Sequence, residues 1–229
     1  MPEPSPPCQA KPSLSTPEQD PARPVARNSA LLTIDLQAAF AEPDSPLFAP
    51  GTPEAGPHAI AAAEAFRQAG LPVVHIIRLY DSDKWQPEPI RQNFLAQHPG
   101  IMAPGAPGAY TFPGLLPHAA EPDWPFLAQG NIQQLTDKEY LLAKPRWGAF
   151  HNTGLQGLLA RLLVDSLLLV GTIFPNCVRA TIYEALSRDL RVAVIPQATA
   201  GYTDERALDL ANVGLRIVEL NELKSFLNS

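Results

Sequence analysis

Ser166-Leu167-Leu168-Leu169-Val170-Gly171-Thr172-Ile173-Phe174-Pro175-Asn176-Cys177-Val178-Arg179-Ala180-Thr181 is the stretch that decides how this chain folds. Ser166 to Val170 is a short apolar run closed by a glycine, the pattern of a buried strand, and Val178 to Arg188 repeats apolar residues at helical spacing. Strand, glycine, turn and helix in that order form the unit from which parallel sheets are built. The order places Cys177 on the turn, at or near a helix N-terminus. There the helix dipole and free backbone N–H groups favour a thiolate. A thiolate so placed is a nucleophile, and the neighbouring N–H groups can hold an oxyanion. The competing reading is a buried cysteine that behaves as a small hydrophobe.

Outward from this unit the alternation continues. Ala30 to Asp35, Val73 to Ile77, Glu139 to Lys144, Val192 to Ile195 and Leu215 to Val218 read as further strands. Pro53 to Ala69, with Gly70 as its C-cap, Thr153 to Leu163 and Asp204 to Asn212 read as helices. Strands apolar on both faces, separated by helices, predict a three-layer α/β/α domain, Rossmann-like, around a mainly parallel sheet of about six strands. In such sheets ligands bind beyond the carboxyl ends of the strands. Asp35, Lys144 and Cys177 all fall at strand ends, so an acid, an amine and a thiol could share one pocket. Taken singly, a strand-terminal Asp or Lys is more often a solvated loop residue.

These residues carry a resemblance. Thr33-Ile34-Asp35-Leu36-Gln37 with Phe40, Lys144-Pro145-Arg146-Trp147-Gly148-Ala149-Phe150, and Gly171 to Cys177 followed by Val178-Arg179-Ala180-Thr181 resemble the motifs of isochorismatase-like cysteine hydrolases. That superfamily includes nicotinamidases, N-carbamoylsarcosine amidohydrolases, and ureidoacrylate and biuret hydrolases. The resemblance implies a catalytic set of Asp35, Lys144 and Cys177, in which the thiol attacks an amide-like carbonyl and forms a thioester. It further implies that Asp35 takes the thiol proton and returns it to the leaving amine, while Lys144 stabilises negative charge and lowers the thiol pKa. A cis peptide at Thr172–Ile173 would present the Ile173 and Cys177 N–H groups as an oxyanion hole. Gln37, Phe40, Trp147, Phe150 and Phe174 would line the substrate pocket, with core packing the alternative for the three phenylalanines.

Composition narrows the function classes. The 229 residues, 45% hydrophobic, suffice for a substantial core. A net charge of −6 without any Lys/Arg block argues against nucleic acid and anionic membranes as partners. Two cysteines, Cys8 and Cys177, and an N-terminus without a basic start or apolar core point to a soluble, cytoplasmic protein without a structural disulfide. Proline is abundant, 26 residues, and concentrated in residues 1–26, read as a disordered tail ahead of the domain at 27–229. The segment from Asp81 to Gly130 reads as an irregular insertion with short helices, a lid or an oligomer contact being the alternative.

No phosphate-binding glycine loop is present, and Tyr183 stands where a phosphate-cradling Cys-x5-Arg motif needs its arginine. The five histidines lack metal-ligand spacing, and only Asp81-Ser82-Asp83 stands where nicotinamidases carry an Asp-x-His site, so no metal or cofactor is expected. His75 is expected to pack in the sheet, and His151 to sit beside the pocket without a catalytic role. Arg78 is expected in a surface salt bridge, with a substrate carboxylate as the alternative. The expected partners are a small-molecule substrate and further copies of the chain, as a dimer or tetramer. The reading is an amidohydrolase of a small amide, ureido or carbamoyl compound. The alternatives are a vinyl ether hydrolase of the isochorismate type and a non-catalytic or redox-sensing scaffold.

Overall fold

The computed structural model describes residues 20–80, 87–118 and 120–229. Its centre is a seven-stranded sheet in the order β3-β4-β2-β1-β5-β6-β7. The strands are β1 (Ser29–Ile34), β2 (Val73–Arg78), β3 (Ile132–Thr136), β4 (Glu139–Lys144), β5 (Ser166–Gly171), β6 (Arg191–Thr199) and β7 (Arg216–Ile217). Every pairing is parallel except β3 with β4. The helices are α1 (Ala38–Ala41), α2 (Thr52–Gln68), α3 (Pro89–Gln97), α4 (Trp124–Ala128), α5 (Leu155–Arg161), α6 (Arg179–Leu186), α7 (Asp204–Ala211) and α8 (Leu223–Leu227).

β1, β2, β4 and β5 are buried along their whole length, because helices cover both faces of the sheet. Alternate residues of each strand point to opposite faces. Leu32, Ile34, Val74, Ile76 and Leu169 pack on α5, α6 and α7 through Leu158, Ile182 and Leu210. Leu31, Val73, Leu168 and Val170 face the other way, onto Ala59, Ala62 and Phe66 of α2 and Phe226 of α8. The alanines along α2 let that helix lie close against the strands.

The strand β3 is additional to the six read from sequence. Its pattern is half-buried to exposed, as befits an antiparallel edge strand, and it lacks the continuous apolar run of the interior strands. The insertion from Asp81 to Gly130 carries α3, α4 and a 3-10 turn at Pro107–Ala109. Residues 20–26, assigned to the tail by composition, lie on the domain. Asp20 pairs with Arg216, the Val25 N–H donates to Ser166 Oγ at 2.9 Å, and Ala26 is buried. The remainder of that tail, residues 1–19, lies outside the described residues.

One polar chain runs through the interior. His75 is fully buried in β2, with Nδ1 2.9 Å from Thr33 Oγ1 and Nε2 2.6 Å from Glu139 Oε1, and Arg67 donates to the same carboxylate. A carboxylate only accepts, so Nε2 carries the proton and Nδ1 accepts from the threonine hydroxyl. Burial holds His75 below its ordinary value of 6.5, with Glu139 opposing. Burial pushes Glu139 up, but its bonds to His75 and Arg67 outweigh this and leave it below 4.5. Both folded values are depressed, so both groups contribute stability that is present above their unfolded values and lost as pH falls. As pH falls below 6.5 the histidine alone should remove stability, because burial holds its folded value below the unfolded one. Thermal unfolding measured from pH 8 to 5.5 should show that slope, and His75→Gln should flatten it.

Candidate active site

Strand register assembles the site. Arg78 is paired with Lys144 at the ends of β2 and β4, and Ile34 with Gly171 at the ends of β1 and β5. Asp35 follows directly, its N–H donating to the Ile76 carbonyl at 2.9 Å. These four neighbouring strands therefore deliver Lys144, Arg78, Asp35 and the Cys177 turn to one edge. Lys144 lies two strand spacings from Asp35, roughly 9–10 Å, a gap that an extended lysine and a carboxylate can bridge. Its Nζ is 2.8 Å from Asp35 Oδ2, with both side chains essentially inaccessible to solvent, and it also donates to the Arg146 carbonyl at 3.1 Å.

The backbone here is specialised. Asp35 has φ of 51°, the left-handed region that Asp and Asn tolerate better than other non-glycine residues. Gly171 has φ of +125°, and a Cβ there would lie 2.1 Å from the Ile34 carbonyl oxygen, so the end of β5 approaches β1 as only glycine allows. The next peptide, Thr172–Ile173, is cis. Bonds from the Ala200 N–H to the Gly171 carbonyl and from the Phe174 N–H to the Ala200 carbonyl brace it, as does the 3.0 Å contact between Thr172 Oγ1 and Thr52 Oγ1. Cys177 then sits in a single π turn, Phe174–Val178, that runs into α6. Single π turns within helices recur at functional sites. Thr181 Oγ1 donates to the Cys177 carbonyl and accepts from the Ala149 N–H, while Glu184 accepts from the Phe150 N–H. The loop after Lys144 is thereby fixed to the helix that carries the thiol.

A cavity of about 280 Å³ opens onto these groups. Asp35, Phe40, Arg78, Tyr80, Trp147 and Cys177 line it, together with Arg91, the Pro46–Pro50 turn and Thr172, Ile173 and Asn176. The volume lies just below the usual range of sites for drug-sized ligands, which suits a small substrate. A larger open trough of about 1090 Å³ lies at the opposite end of the strands, around Arg67, Lys138 and Glu139. The smaller cavity is the site because it holds the thiol and the carboxylate.

The electrostatics correct one expectation. Burial pushes the Cys177 thiol up to about 12, and the Asp35 charge and hydrogen bonding add to this, while Lys144 and Arg78 oppose it. Helix position and Lys144 were expected to lower the thiol pKa, but burial and the Asp35 charge outweigh them. Asp35 is held by its 2.8 Å ion pair with Lys144, and its charge and hydrogen bonding reach the Cys177 thiol. A carboxylate beside the thiol, with its charge steadied by a lysine, is the arrangement a general base requires.

The structure divides the pocket residues read from sequence. Phe40 and Trp147 line the cavity; Gln37, Phe150 and Phe174 do not. Gln37 is buried and bonded to both backbone groups of Arg78 and to the Ala109 carbonyl, clamping the end of β2 to the insertion. Phe150 and Phe174 belong to the core beneath α5 and α6, and the Phe174 ring packs edge-on against Tyr202. His151 is exposed and away from the cavity wall. Arg78, expected at the surface, is 2% exposed and paired with Glu88. Burial pushes Glu88 up, but the hydrogen bond and charge of Arg78 prevail and hold it below 4.5. Tyr80 and Arg91 escaped the sequence reading; Tyr80 follows the end of β2 closely, whereas Arg91 lies on α3 within the insertion. Asp81, Ser82 and Asp83 lie outside the described residues. Among the described residues no group of three or more His, Cys, Asp or Glu side chains could hold a metal ion, and no helix is long and apolar enough to cross a membrane.

A mainly parallel α/β/α sheet with an acid, an amine and a thiol at its carboxyl edge defines a hydrolase of the isochorismatase-like class. Residues 29–220 match the Isochorismatase domain, and the chain belongs to that family. It is 30% identical over 202 residues to a protein of Arabidopsis thaliana named a probable inactive nicotinamidase, across 86% of this chain and 94% of that one. It is 27% identical over 176 residues to maleamate amidohydrolase of Pseudomonas putida, across 74% and 70% of the two chains. Among solved structures it is similar to an isochorismatase family protein of Desulfovibrio vulgaris, with TM-score 0.74, 29% identity, and coverage of 88% and 99%.

Proposed function

We propose that this protein is a cysteine amidohydrolase that cleaves the C–N bond of a small amide, ureido or carbamoyl compound through a thioester on Cys177. The observation that carries this reading is that Asp35, held by Lys144 in a buried ion pair of 2.8 Å, lines the same small cavity as the Cys177 thiol. The Cys177 proton passes to Asp35 as Sγ bonds to the substrate carbonyl carbon, whose oxygen becomes an oxyanion facing the Ile173 and Cys177 N–H groups. Collapse breaks the C–N bond, and Asp35 gives its proton to the departing nitrogen. Water then adds to the thioester, losing a proton to Asp35. The second collapse releases the acid and returns that proton to sulfur. Lys144 keeps its charge throughout and offsets the negative charge that moves between Asp35, sulfur and oxygen.

Retention of Asp35, Lys144 and Cys177 together supports catalysis over a non-catalytic scaffold, and a thiol nucleophile supports amide over vinyl ether cleavage. Ammonia release should be assayed with nicotinamide, biuret, N-carbamoyl amino acids and ureidoacrylate analogues. At least one should be hydrolysed, and Cys177→Ala should abolish its turnover. Ammonia from none of them, with a vinyl ether such as isochorismate cleaved equally by wild type and Cys177→Ala, would overturn the amidase reading.

A further inference from the structure

A second chamber adjoins the active-site cavity, and the thioester chemistry makes no use of it. Its volume is about 330 Å³, and Tyr80, Leu95, Pro99, Ile101, Met102 and Ala103 supply most of its wall. Among the described residues no charged side chain lines it. Tyr80 belongs to the walls of both spaces and so forms the boundary between them. Its ring lies 4.8 Å from the Arg78 guanidinium, and its N–H donates to the Met102 carbonyl at 3.0 Å.

The helix α3 roofs the two spaces together. Arg91 lines the first and Leu95 the second, and residues four apart share one face of a helix, a turn from each other. On that side Arg91, Phe94 and Leu95 are half-buried, yet no residue of α3 is buried. A surface helix is ordinarily seated by an apolar stripe pressed into the core. Here the Leu95 end of the stripe faces a hollow instead. Ordered water needs two or more polar partners, so an apolar hollow of this kind favours an apolar occupant.

We infer that the chamber beyond Tyr80 holds an apolar arm of the substrate, an alkyl or aryl group several bonds from the scissile carbonyl, lying under α3. The inference rests on the amidase reading and deepens it, naming a substrate with a polar reacting end and a hydrocarbon end. Each methylene taken from water into such a chamber favours binding by about two- to fourfold.

Alkylation of Cys177 tests the chamber without requiring turnover. In a Cys8→Ser background, Cys177 is the sole thiol. Iodoacetamide and its N-propyl, N-butyl and N-hexyl derivatives react alike: sulfur bonds to the CH₂ carbon, iodide leaves, and the thiol proton passes to solvent. In the folded protein the rate should climb about two- to fourfold per methylene from propyl to hexyl, whereas in the same protein in urea it should stay level. Ala103→Phe fills the chamber and Leu95→Asp puts a charge into it; each, shown folded by circular dichroism, should flatten the series. Leu163→Asn removes an exposed apolar side chain at the opposite end of the sheet and should leave the slope unchanged. A level series in the folded wild type, or a slope that survives both Ala103→Phe and Leu95→Asp, overturns the inference. Primary amides from propionamide to octanamide then separate the two readings. Ammonia release that falls steadily with chain length would sink the apolar arm and leave the amidase standing. Ammonia from none, with the alkylation slope intact, would remove the amidase and leave the chamber as a binding site.

Discussion

Asp35→Asn should turn over amide at least about 10³-fold more slowly than wild type, while its Cys177 is alkylated faster by iodoacetamide. The first effect follows from a thiol that burial and the Asp35 charge push up, so that little thiolate is present at pH 7. In the proposed mechanism attack needs the proton moved to Asp35 and expulsion of the amine needs its return; general acid–base steps of this kind contribute about 10²- to 10⁴-fold. The second effect has the opposite sign. The Asp35 charge and hydrogen bond raise the thiol while Lys144 and Arg78 lower it, so removing the carboxylate leaves two cations facing sulfur. Asn is the informative replacement because it tolerates the φ of 51° at this position. Steady-state turnover and alkylation rates at pH 7, on protein shown folded by circular dichroism, provide the check. A parallel fall in both rates would mean that Asp35 acts by holding the site together.

Lys144→Met should destabilise the protein by about 3–5 kcal/mol, because it strands a buried carboxylate without its counter-ion. Neither Lys144 nor Asp35 has appreciable solvent exposure, so water cannot take over the missing charge. The double variant Asp35→Asn/Lys144→Met carries no stranded charge and should recover most of that loss. Urea unfolding of the two single variants and the double variant gives the coupling directly. Additive losses would show that the pair contributes no mutual stabilisation, and that the site tolerates Asp35 charged and alone.

How much of this was legible follows from how each element is stabilised. The interior strands β1, β2, β4, β5 and β6 are covered on both faces, so each is an apolar run that a sequence displays openly. β3 is an edge strand in which Ile132 and Leu135 are separated by glutamines, and its place is set by pairing with β4 rather than by burial. α3 has no buried residue, hence no apolar stripe to read. Within the site, Asp35, Lys144 and Cys177 were legible because strand ends converge in a parallel sheet. Arg78 was misread because its burial depends on register beside Lys144 and on Glu88, ten residues further along the chain. Phe150 and Phe174 were placed in the pocket by motif position, yet their side chains turn inward to fill the core under α5 and α6. The direction of the thiol shift was missed for a related reason. Helix position and a nearby lysine can be inferred from order along the chain, whereas burial and the proximity of a carboxylate are properties of the assembled cavity.

A thioester on Cys177 is the intermediate that the proposed mechanism requires. An amide found to release ammonia should be mixed with enzyme, quenched in acid within the first turnovers, and the protein weighed intact and after digestion. An acyl group should appear on the peptide containing Cys177, formed in step with the first equivalent of ammonia and absent from Cys177→Ala. Turnover without any such adduct, retained in Cys177→Ala, would contradict that mechanism.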